Sequence, residues 1–126
     1  MPFKSLLVVT GLLALVFGLG FFFAPVEVLN LYGSSTGPVG YLMSRFFGAE
    51  LIQVGIAYIL IRGVQEPTVI RGIAIATTFG ALAGLRVALY AVRNELVNQV
   101  GWSSVAIYAL LVLAFGWHAL RRPQPA

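Results

Sequence analysis

Three ionisable residues stand inside otherwise apolar stretches of this chain: Arg45 and Glu50 in one, Arg86 in the next. At membrane depth each such residue costs about 2.5–3.5 kcal/mol to insert, so chains that keep them usually have a partner or a use for them. The run Arg45-Phe46-Phe47-Gly48-Ala49-Glu50-Leu51-Ile52-Gln53 puts a base, an acid and an amide together, and Tyr90 follows Arg86 by one helical turn. Guanidinium forks suit carboxylates and phosphates because they bond bidentately and stay charged. Three uses are open. The residues form a buried Arg–Glu pair that fixes helix register, a site for an anionic or amphiphilic headgroup or a quinone, or a proton or ion path through Glu50.

The elements that must hold these groups are set by composition. The 126 residues are 60% hydrophobic and only 10% charged, against about 25% charged in soluble domains. A spanning helix takes about 20 apolar residues, so four would use most of the chain. The expected fold is all-α: a single four-span membrane bundle covering residues 1–126, with helices over 6–23, 39–61, 69–92 and 101–120. Val26–Tyr32 reads as a short interfacial helix after the first span, and Gly33–Pro38 as a turn cluster. The first segment follows Lys4 as a signal peptide would, but it is long and lacks a clear small-x-small cleavage site, so it reads as a retained helix. The residues after Pro123 are expected to be disordered.

Small residues recur at helical spacing. Gly11, Ala14 and Gly18 make a smooth stripe on the first helix, and Gly72, Ala76, Gly80 and Gly84 a four-residue ladder on the third. Such stripes let helices approach closely in lipid, within the bundle or between copies in a homo-oligomer. Trp102 and Trp117 bracket the fourth helix as interfacial anchors.

Topology follows from basic residues. With four spans, Lys4, Arg62, Arg71, Arg121 and Arg122 share one side, and Arg93 lies on the other. Positive-inside bias then puts both termini in the cytoplasm. This distribution of bases also explains the net charge of +4 without nucleic acid.

Helical rise puts Glu50 near the bilayer midplane, with Arg45 and Arg86 each roughly 8 Å nearer the outer face. An Arg86–Glu50 pair on neighbouring antiparallel helices is expected, within an outward-opening polar pocket. Arg45, Gln53 and Glu50 span an arc of about 140°, and the opposite arc with Ile52 and Ile59 suits lipid or a second subunit. His118 is the sole histidine and reads as interfacial; no metal-ligand spacing, catalytic set or phosphate loop occurs, and the lack of cysteine excludes disulfides and thiol chemistry. No catalytic residue, metal or required cofactor is expected. The bilayer, a bound lipid or quinone, and a membrane-protein partner or second copy are the candidate associates.

Phe23-Ala24-Pro25, Leu31-Tyr32-Gly33, Arg45-Phe46-Phe47-Gly48-Ala49 running on to Gly55, and Arg86 late in the third helix resemble the small four-helix bacterial membrane proteins grouped as DoxX-like, and more closely a related domain-of-unknown-function family. The resemblance covers roughly residues 6–120. It implies a four-span bundle in the inner membrane with a helix-two arginine, and an association with redox or quinone-linked partners. Glu50 has no counterpart in that pattern. Small multidrug exporters and dual-topology fluoride channels are similar in size, and Gly80-Ala81-Leu82-Ala83-Gly84-Leu85-Arg86 faintly echoes a motif of the channels but lies in the third helix. The former carry their carboxylate in the first helix, and the latter conflict with the one-sided bases. The expected function is therefore a non-catalytic accessory or amphiphile-binding subunit. The alternatives are a small transporter or channel coupled through Glu50, or a subunit of a membrane redox enzyme.

Overall fold

The computed structural model describes residues 2–121, and among them every regular element is helical. The order is α1 (Phe3–Phe23), α2 (Pro25–Leu31), α3 (Pro38–Leu60), α4 (Pro67–Arg93) and α5 (Gly101–Leu120). All but α2 are long and apolar enough to cross a membrane. Arg122, Pro123 and the expected disorder of the last residues lie outside the described residues.

Proline punctuates the chain. Pro25, Pro38 and Pro67 each begin a helix, where the missing N–H costs nothing and the fixed φ is already helical. Proline also drives the residue before it out of the helical region. Ala24, Gly37 and Glu66 accordingly have non-helical ψ values of 55°, −177° and 116°. Three spans consequently start or stop within two residues of a proline-based boundary. The helix starts at 38 and 67 precede the expected 39 and 69 for the same reason.

Two helix ends close in the same way. After α2, Ser34 N–H donates to Leu29 and Gly33 N–H to Asn30, with Gly33 left-handed at φ 70°. After α4, Leu96 N–H donates to Ala91 and Glu95 N–H to Val92. Both are Schellman closures, which need a left-handed residue just past the helix. At the second it is Glu95, at φ 56°.

The chain forms two compact units, Pro2–Gly63 and a second beginning at Val64. In the first, α1 packs antiparallel on α3 through glycines. A methyl group on Gly48 would stand 2.6 Å from Phe22 N and 2.7 Å from Gly18 O; one on Gly55 would stand 2.7 Å from Gly11 O. Backbone therefore meets backbone at Gly11–Gly55 and again at Gly18–Gly48. The two pairs are seven residues apart on both helices, and seven residues turn a helix by nearly two whole turns, so both stay on one seam. Leu7, fully buried, and Ala14 continue the same row of α1.

In the second unit α4 packs on α5. Ala74, Ala81 and Ala88 are buried along α4, again every seven residues. Gly84 lies against the Tyr108 ring, and Thr78, whose hydroxyl donates to Ala74 O at 2.7 Å, faces Gly116. Phe115 is the large side chain fully buried on α5.

Candidate polar site at the end of the first helix

The first helix ends because Pro25 has no N–H to offer the carbonyls of its last turn. Ala24 N–H closes on Gly20 O, Pro25 has no N–H for Phe21 O, and Arg45 serves the carbonyl after that from outside: its Nη1 donates to Phe22 O at 2.5 Å. A cation at a helix C-terminus both satisfies a carbonyl and faces the negative end of the dipole. Phe47, two residues along α3, meets Phe21 edge to face with centroids 5.2 Å apart. Gly48 then admits the α1 backbone. The run Arg45–Gly48 thus works as one clamp on the end of α1, holding a carbonyl, a ring and the main chain in succession.

The seam fixes which way α3 points. Ile52 and Ile59 lie against Gly18 and Gly11, so that arc packs on α1; it does not face lipid or a second subunit as expected. An apolar arc reads the same way for either neighbour, and only the glycines opposite it distinguish the two. Relative to the seam, Arg45 sits about 50° to one flank, Gln53 about 130° away and Glu50 about 170° away. Arg45 therefore serves α1, while Glu50 and Gln53 occupy the back of α3. All three are exposed. Glu50 and Gln53 make no hydrogen bond or ion pair with the described residues of their own unit.

On α4, Arg86 and Tyr90 lie about 140° and 180° from the Ala81 row. Both are exposed, Tyr90 at 62%. Arg86 and Glu50 belong to different units, and their pairing remains an expectation drawn from the sequence. His118 is half-buried in the last turn of α5. Among the described residues no three histidines, cysteines or carboxylates gather as metal ligands would.

The small-residue stripes separate by spacing. Gly11 and Gly18 lie in the α1–α3 seam, and Gly84 meets Tyr108, but a side chain on Gly72 or Gly80 would meet nothing within 4 Å and Ala76 is exposed. Four residues turn a helix by about 400°, so each step of the ladder drifts 40°, and Gly72 ends about 120° around from Gly84 and opposite the Ala81 row. Sequence reasoning overlooked the alanine row on α4 and the packing role of Gly48 and Gly55. The signal was present as one seven-residue glycine spacing shared by two apolar segments.

No family model, curated protein or solved structure matches the chain.

Proposed function

We propose that this chain is a non-catalytic multi-pass protein of a cell inner membrane, DoxX-like in architecture, with both termini in the cytoplasm. It serves as an accessory subunit that binds an amphiphile. The observation that carries this reading is the placement of charge on spanning helices. Glu50 and Gln53 on α3, and Arg86 and Tyr90 on α4, are exposed beside apolar surface, and none of them lies in the seam its helix makes with α1 or α5; Arg45, bonded to Phe22 O, is exposed on the same helix as Glu50. Ionisable groups so placed need a ligand, a partner or a route to the headgroups. A quinone or a lipid meets that need through its polar head, and a partner helix does so through its own side chains.

Native mass spectrometry of the wild-type protein in mild detergent tests the reading. A co-purified amphiphile or a stoichiometric membrane subunit is the expected result. A folded chain carrying neither, before and after incubation with native lipid extract, overturns it.

A further inference from the structure

We infer that Arg45 and the groove below it form a seat for one anionic phospholipid, the guanidinium taking the phosphate and the α1–α3 flank taking an acyl chain. This deepens the amphiphile-binding reading and rests on it.

Arg45 is held, but not used up. A guanidinium has five N–H donors in a fixed fork. One Nη is committed to Phe22 O, which fixes the plane of the group, and the side chain is exposed. The donors left over are those suited to a phosphodiester, whose oxygens a fork can take in pairs. Pre-orientation by the carbonyl removes part of the rotamer entropy that a free arginine loses on binding.

Depth places this fork where phosphates are. The 21 residues of α1 rise by about 30 Å, the thickness of the hydrocarbon core. The carbonyl that Arg45 caps is in the last turn of that helix, so with α1 as the measure the guanidinium lies at the boundary between acyl chains and headgroups, farther out than the roughly 8 Å from the midplane expected from the second apolar segment. Phe22 and Phe23 are exposed at this same end and add apolar surface around the fork.

Apolar surface continues below it. Helical periodicity puts Ile56 of α3 and Leu12 and Leu19 of α1 on the flank of the seam that Arg45 occupies. They are exposed at 47%, 52% and 46%. The two backbones touch at Gly18–Gly48 and Gly11–Gly55, and Ile52 and Leu15, packed beside those glycines, give the valley between the helices an apolar floor. From Arg45 to Ile56 it runs about 16 Å toward the membrane centre, comparable to an acyl chain. A cation above a straight apolar valley matches an anionic lipid in both halves. A soluble anion matches only the upper half.

The test compares retention of phosphatidylglycerol with that of phosphatidylcholine by native mass spectrometry, for wild type, R45K, R45Q and I56N, with circular dichroism as the folding control. Wild type is expected to prefer the anionic lipid by about tenfold. R45Q should abolish that preference, and R45K should keep only part of it, since an ammonium can cap Phe22 but lacks the fork. I56N should weaken retention several-fold while leaving the cap in place, which keeps the proposal testable if R45Q does not fold. Equal preference in wild type and folded R45Q overturns the seat but leaves amphiphile binding standing. So does unchanged retention in I56N, or full displacement of the lipid by millimolar inorganic phosphate. Failure of wild type to hold any amphiphile would sink the underlying reading as well.

Discussion

Arg45 donates to the main-chain carbonyl of Phe22, linking the second apolar segment to the last turn of the first. A side chain that would otherwise be an unexplained charge at membrane depth becomes a cap. Its partner is a carbonyl in the last turn of α1, one residue past the carbonyl of Phe21 that Pro25 deprives of an N–H. The proline ends the helix and the arginine serves the turn so exposed, although twenty residues separate them.

Removal of the cap should therefore be measurable. R45A is expected to lower unfolding stability by about 1–2 kcal/mol, the range for a charge-assisted bond and a helix-end charge together. R45K should recover at least half of it. Thermal unfolding in detergent, followed at the helical circular-dichroism band, reads both; R45K no better than R45A would mean that the carbonyl gains little from the cation.

The glycines should divide into two classes under the same substitution. G48A and G55A force a methyl group into backbone and should cost about 2 kcal/mol or more. G72A and G80A meet open space and should stabilise by about 0.5–1 kcal/mol through helix propensity. Chemical denaturation of the four variants gives the signs directly. A shared sign would show that the seam and the exposed ladder are not distinguished as described.

Glu95 carries a left-handed backbone at φ 56° that glycine adopts without steric cost. E95G should raise stability by about 1 kcal/mol, the cost a side chain bears in that region. The unfolding midpoint measures it, and a fall would mean that the Glu95 side chain contributes more than its backbone strain costs.

Orientation can be read independently. The proposed four-span topology puts Lys4, Arg62, Arg71 and Arg121 on one side, so a fluorescent reporter fused at the C-terminus should light up in the cytoplasm, while alkaline phosphatase fused there should stay inactive. The reverse pattern would invert the proposed topology.

The helices were legible because apolar length and proline are local signals. The segments expected over 6–23 and 101–120 end where α1 and α5 end, and the short element expected near 26–32 is the helix Pro25–Leu31. Packing was harder to read, because it depends on how two periodicities meet. An apolar arc with Ile52 and Ile59 suits lipid or a second subunit in sequence, yet Gly18 and Gly11 lie opposite it, and the ladder from Gly72 is conspicuous in sequence yet drifts around its helix. Arg45 was picked out as chemically important, but its partner is a main-chain oxygen, which no residue type announces.

The paired glycines also act as a detent. Sliding α1 along α3 by one turn would set Gly18 against side chains, and the next opening comes only after seven residues, about 10 Å on. In that notch just one glycine pair, Gly18 with Gly55, would meet, and Phe22 would have left Arg45 behind. The two helices thus have a single resting position along their length, and pushing one across the bilayer must carry the other with it.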